Sequence, residues 1–326
     1  MATYYGTYGQ KVQYLASDPS DPQTGQVWYN STSATLKVRV VTTTDSWASG
    51  GTLNTGRSSM GGAGIQTAAL AFAGEEAPGN SVATESYNGT SWTSVSNMNT
   101  ARRAGGSLGL QTAALYVGGY ITGGSVNTET WNGTSWTSVN NASNVRYDTG
   151  ASGLTSAALA LGGSGSSGAI PVGVESWNGT SWTAGTNLPT NRRSAGFSIV
   201  GTQTATLYSG GVNTPNSARV SDVYSWNGSS WSTLTNLPGN RGSAGNFGTQ
   251  TSSLVAGGDD GSVDLNNAVL WNGSSWTTSP ATLANAFGSW ASASPAPSGS
   301  GILYRNSITE EFNGPGLVTT QTITVS

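Results

Sequence analysis

Five arginines, Arg57, Arg102, Arg146, Arg192 and Arg241, each stand ten residues after a tryptophan. Guanidinium groups at equivalent places of a repeated unit gather at one mouth if the units are related by rotation. Such a cluster suits a carboxylate, a sulfate or a polar sugar, because the planar fork of arginine donates two parallel hydrogen bonds. The competing reading is structural, each arginine pairing within its own unit or with the next. A sixth unit has Ala286 at that spacing, so the cluster is expected to be open on one side. Glu85, Glu129 and Glu175 recur two residues before an aromatic and read either as an acidic ring or as strand-end carboxylates accepting local hydrogen bonds.

Other chemistry is thin. The chain has no histidine and no cysteine, which excludes Ser-His-Asp and Cys-His catalysis, thiolate or histidine metal sites, and disulfides. No cofactor and no metal site is expected. Glu75-Glu76, Asp259-Asp260 and Glu310-Glu311 are adjacent acids, whose side chains point to opposite faces of a strand and cannot make a glycosidase pair. Two acids from different loops are the remaining route to catalysis, and a non-enzymatic role is the reading adopted.

The elements that position these residues follow from a repeat. Tyr87-Asn88-Gly89-Thr90-Ser91-Trp92 recurs with Trp first at 131–136, 177–182, 226–231 and 271–276. Asn-Gly between aromatic strand residues reads as a tight hairpin with a type I′ turn. The same turn chemistry accounts for the glycosylation-like sequons at Asn88, Asn132, Asn178, Asn227 and Asn272. The second tryptophan falls at 47, 92, 136, 182, 231 and 276, intervals of 45, 44, 46, 49 and 45 residues. After each arginine come a Gly/Ala/Ser run, a second strand, a glycine doublet such as Gly118-Gly119 (Ala73-Gly74 in the first unit), a variable loop and the next hairpin. Four short strands in about 45 residues is the period of a propeller blade. The small-residue strand is expected innermost and the tryptophan strand outermost. Half repeats at residues 45–50 and 310–314 are expected to pair and close the ring, removing sheet edges.

This order resembles the kelch repeat over residues 45 to 314. The resemblance implies an all-β fold, a six-bladed kelch-like β-propeller at 45–316. Residues 1–44 form a small N-terminal β module, with a hairpin of Gln26–Asn30 and Thr35–Val40, and 317–326 a C-terminal extension. In kelch proteins the arginine position lies near the mouth of the central channel, which makes the five arginines the candidate ligand-binding residues. Galactose-oxidase-like copper chemistry would need histidine and cysteine and is excluded. In Ser176 to Trp182, Trp177 stands where a sialidase box has its aspartate, so that likeness is superficial.

The uniform Asn-Gly-Thr-Ser-Trp hairpins, the Gln-Val-Trp-Tyr-Asn strand upstream and the Thr-rich end look like kelch-type propellers of bacteriophage structural proteins. The resemblance implies a tail fibre or similar virion component. Residues 1–44 would then bind other virion proteins through Tyr4, Tyr5, Tyr8 and Trp28, and the propeller would meet a host-surface glycan or protein. A cellular kelch scaffold or lectin is the alternative. With 12 basic and 15 acidic residues, net −3, nothing draws nucleic acid by bulk charge. No apolar stretch is long enough for membrane insertion, and no signal peptide is visible, which fits particles assembled in the host cytoplasm.

Overall fold

The computed structural model describes residues 12–21, 25–41, 45–165, 173–193, 199–213, 217–288, 291–293, 300–314 and 318–323. Among them every regular element is a strand, and no helix could cross a membrane. The chain divides into two compact units, Met1–Asp45 with Asn313–Ser326, and Ser46–Phe312.

In the smaller unit, Val27–Asn30 and Thr35–Val41 form the hairpin that the sequence predicts. Asn30 Oδ1 accepts the amides of Thr32 and Ser33 and so shapes the turn. Gln13–Leu15 adds in parallel to one side. Val318–Ile323, expected as part of an extension, instead pairs antiparallel with Thr35–Val41 as the fourth strand.

The larger unit contains six four-stranded sheets among the described residues. The first is Gly61–Ile65, Ala68–Phe72, Thr84–Tyr87 and Trp92–Val95, all neighbours antiparallel. The next four repeat this order, starting at Gly106–Leu110, Gly150–Leu154, Ile199–Thr202 and Gly245–Gly248. The sixth consists of Ala291–Ala293, Ser300–Arg305, Ile308–Asn313 and, from the other end of the sequence, Ser46–Ser49. Gly50 donates to Thr309 O at 2.9 Å just beyond that strand. Each of the first five sheets has two ends. Two tight turns sit at one, and the arginine corner, the glycines that follow the second strand and the variable loop sit at the other.

The hairpins differ from the expected type I′ turn. Trp131 pairs with Trp136, so four residues connect the strands. Gly133 has φ +94° while Asn132 stays outside the left-handed region, and Asn132 Oδ1 accepts the amides of Thr134 and Ser135. Asparagine serves here as a side-chain acceptor and only the glycine adopts the left-handed backbone.

Six apolar clusters fill the spaces between sheets, each drawing on two of them. Trp131 and Trp136 of the second sheet pack on Leu70 and Phe72 of the first, and the pattern repeats along the chain. A sixth cluster joins the last sheet to the first through Ile302, Tyr304, Tyr87 and Trp92. The second tryptophan also reaches back by its ring N–H, Trp136 to Thr84 Oγ1 at 3.0 Å and Trp182 to Thr128 Oγ1 at 3.1 Å. Small residues are required where first strands approach each other. A Cβ on Gly62 would stand 2.4 Å from Ser292 O of the sixth sheet, and one on Gly106 would stand 2.9 Å from Ala151 Cβ of the third.

One backbone bond recurs between loop ends. Gly74, Gly119, Gly163 and Gly211 donate to the carbonyls of Arg102, Arg146, Arg192 and Arg241 of the following sheet at 2.8–3.0 Å. Gly258 donates to Phe287 O at 2.9 Å, and Asn306 of the sixth sheet to Arg57 O of the first at 2.5 Å.

Candidate functional site

The five arginines lie in these corners and are buried, with 0–5 % of their surface exposed. Arg57 donates through Nη1 to Ala73 O and Ala83 O at 2.9 and 2.5 Å, and through Nη2 to Glu85 Oε1 at 2.8 Å. Arg102 pairs with Glu129 and Arg146 with Glu175, both at 2.5 Å, and Arg192 pairs with Asp222. Arg241 has no acid. It donates to Gly257 O, Asn267 O and Asn267 Oδ1 at 2.7, 3.0 and 2.7 Å. Arg57, Arg146 and Arg241 thus clasp both ends of the loop between the second and third strands of their own sheets, while Arg102 and Arg192 hold an acid at the start of the third strand. The expected display of cations at a ligand site is corrected here: burial leaves none of the five facing solvent.

The recurring glutamates are the partners of these cations. Glu85 also accepts the amides of Asn54 and Thr55, and Glu175 those of Ser143 and Asn144. Burial pushes Arg57 and Arg146 below the ordinary guanidinium value, opposed by Glu85 and Glu175. Burial alone pushes Arg241 down to about 10. Burial acts to raise Glu175, but the Ser143 amide and Arg146 outweigh it and hold the carboxyl below its usual range.

The sixth corner differs from expectation. Six residues separate Trp from the buried apolar residue before each arginine, as in Trp231 to Leu237, but seven separate Trp276 from Leu283. The inserted residue moves the arginine position from Ala286 to Phe287, whose carbonyl takes the bond that the arginine carbonyls take elsewhere. Glu310 lacks a cation there and is satisfied by the amides of Ala284 and Asn285 and the Asn285 side chain, at 2.9–3.1 Å.

At the loop ends the residue after each of four arginines meets the residue after the glycine that closes the second strand. These pair across the sheet as Ser58–Glu75, Arg103–Tyr120, Tyr147–Ser164 and Gly242–Asp259. In the first three sheets they form a chain of contacts. Arg103 meets Glu75 at 2.9 Å and lies over the Tyr120 ring at 4.8 Å, and Tyr120 meets Tyr147 edge-on at 5.4 Å.

Sheets four to six surround an open depression of about 490 Å³. Its walls carry Arg219 from the fourth sheet, Asp259 and Asp264 from the fifth, and Arg305 from the sixth. Arg219 and Asp259 form an ion pair, and Asp259 and Asp264 are bridged through their backbones. Arg305 donates to Gly288 O and lies over the Phe287 ring at 5.1 Å. Burial pushes Arg305 below the ordinary guanidinium value, opposed by the charge of Asp264. A Cβ on Gly288 would lie 3.6 Å from Asp264 Oδ1 and 3.7 Å from Asp259 Oδ2, so the bare backbone leaves room beneath both carboxylates. Asp260 Oδ1 accepts the amides of Ser262 and Val263 at 2.7 and 2.9 Å and fixes the loop between the two wall acids.

Arg219 and Asp259 stand in variable loops that follow glycine doublets, the place left for a ligand once the five arginines are consumed within their sheets, whereas Arg305 had no sequence signal of that kind. The available signal was non-recurrence. Arg305 and Asp264 have no counterpart in the other repeats, whereas residues holding the sheets recur.

In the smaller unit, Tyr4, Tyr5 and Tyr8 lie outside the described residues. Trp28, expected to be covered by a partner, is fully buried within the chain and donates to Asp18 Oδ1 at 3.0 Å. The exposed aromatic surface there is Tyr14, 75 % exposed and stacked on Tyr29 at 5.2 Å.

Comparison of the chain with protein-family models and with curated proteins finds no match.

Proposed function

We propose that the larger unit is a six-bladed kelch-like β-propeller that works as a non-enzymatic recognition module of a bacteriophage structural or receptor-binding protein. The ring reading rests on the bond from Asn306 to the Arg57 carbonyl, which repeats between last and first sheets what Gly74 to Gly258 do between consecutive ones. The cluster of Tyr304 with Tyr87 supports it independently. In this reading the central channel opens at the loop ends.

The observation that carries recognition is the division of labour among the repeats. Residues that hold sheets together recur, while those bridging the loop ends differ from sheet to sheet, and in sheets four to six they stand at a depression lined by charged side chains. A surface built this way on a rigid scaffold is where ligands are usually met. The phage assignment rests on the sequence resemblance and on the small additional unit, whose Tyr14–Tyr29 stack offers surface to a neighbouring virion protein. A host-surface glycan or protein is the expected distal partner. A cellular kelch scaffold or lectin shares the fold, so the deciding experiment is location. Antibody against the chain should label intact purified virions. Particles free of the chain, with all of it in the soluble lysate, would refute the assignment.

A further inference from the structure

We propose that the depression walled by Arg219, Asp259, Asp264 and Arg305 binds a neutral carbohydrate of one or two rings. The inference rests on reading the larger unit as a recognition module and names the ligand class for it.

The charges decide first. Two guanidiniums and two carboxylates line the walls, so their formal charges cancel. A polyanion meets Asp259 and Asp264 beside the arginines, and a polycation meets the arginines beside the acids. Neither gains the one-signed field that would select it. A neutral polyol behaves differently. Each hydroxyl both donates and accepts. Neighbouring hydroxyls can donate to a carboxylate and accept from a guanidinium, and both bonds gain from the ionised partner.

The remaining lining agrees. Ser243 and Ser262 add hydroxyls, and Val263, 58 % exposed, gives one apolar patch for the C–H face of a ring. A volume of about 490 Å³ falls within the ~300–1,000 Å³ of small-ligand sites. The walls are also held before any ligand arrives. Asp259 is fixed by Arg219, Arg305 by Gly288 O and the Phe287 ring, and the loop between the acids by Asp260. Preorganised polar groups spare a ligand the entropy of ordering them.

The test uses the full chain and saturation-transfer NMR at millimolar maltose, cellobiose, lactose and mannobiose, with 3′-sialyllactose as the anionic comparison. At least one neutral disaccharide should receive saturation. Asp264→Ala, on the exposed loop, should weaken that binding about tenfold or more with an unchanged melting temperature. If Asp264→Ala lowers the melting temperature, the near-isosteric Asp264→Asn serves in its place. No neutral disaccharide bound, binding of 3′-sialyllactose alone, or neutral binding indifferent to Asp264 would each overturn the proposal. Virion labelling is read separately, so particles that carry a chain unable to bind these sugars would sink this site and leave the recognition module standing.

Discussion

Arg241 is a buried cation without an acid among the described residues, and its neighbourhood shows how to supply one. Asn267 immediately precedes the third strand of the fifth sheet, Ala268–Trp271, as Asp222 precedes Val223–Trp226 in the fourth. Asp222 pairs with Arg192, and Asn267 already holds Arg241 Nη2 through Oδ1 at 2.7 Å. Asn267→Asp therefore places a carboxylate on the guanidinium with almost no change of shape. Burial lowers Arg241 from 12.5 to about 10, which at ~1.4 kcal/mol per pH unit is a cost of about 3 kcal/mol in the folded state. The new carboxylate must itself lose part of its hydration at a half-buried position, so the net gain should be about 1–2 kcal/mol. The new acid titrates below its unfolded value of ~3.9 because Arg241 favours its charged form. Its contribution is therefore complete above that value and lost as pH falls through the lower, folded one. Urea melts of the variant and the parent at pH 7 and near pH 2 measure this directly. The variant should unfold at higher urea at pH 7, and the two midpoints should converge in acid. Equal midpoints at pH 7, or a gain that survives in acid, would refute the account of Arg241 as an uncompensated cation.

Glu175→Gln leaves Arg146 buried without its counter-charge and should cost about 3–5 kcal/mol in urea melts. Because Glu175 is held below its ordinary 4.5, that difference should be full above about pH 4.5 and shrink as pH falls through the folded value. Trp182→Ala removes a buried ring packed across two sheets and should cost about 3–5 kcal/mol, with a loss under about 1 kcal/mol contradicting its place in the core. Deleting residues 45–50 strips the fourth strand from the sixth sheet and should abolish sharp thermal unfolding, and an unchanged melt would show that strand to be dispensable.

The strand pattern was legible because two kinds of residue report backbone geometry directly. The Asn-Gly hairpins and glycine doublets mark turns that few other residues make, and Gly62 and Gly106 mark contacts that admit no side chain. The length of the hairpin connection was not legible, since Asn-Gly serves a two-residue turn and a four-residue turn capped by asparagine equally well. The arginines were legible as a series, but their spacing alone left open whether they face a ligand or pair within their sheets. Recurrence at fixed spacing reports what the first five sheets share, a buried arginine at the loop end, paired with Glu85, Glu129 and Glu175 in the first three. Counting from the tryptophan placed the sixth position at Ala286. Counting from the buried Leu283 would have found Phe287. The depression stayed hidden because Arg219, Asp264 and Arg305 are brought together by three sheets and share no motif.

The shared sixth sheet has a consequence for synthesis. Its strand Ser46–Ser49 leaves the ribosome about 260 residues before Ile308–Asn313, the strand it pairs with. At bacterial-to-eukaryotic elongation rates of ~5–20 residues per second, that early strand waits roughly 10–50 s with its backbone unpaired. Through that interval the five sheets translated between them can complete themselves from local sequence, while the sixth depends on the last strand to arrive. Polysomes crowd nascent chains at successive stages of growth, and each one past residue 49 carries the same open edge. A translation pause placed after residue 49 would lengthen this exposure, and one placed before it would not.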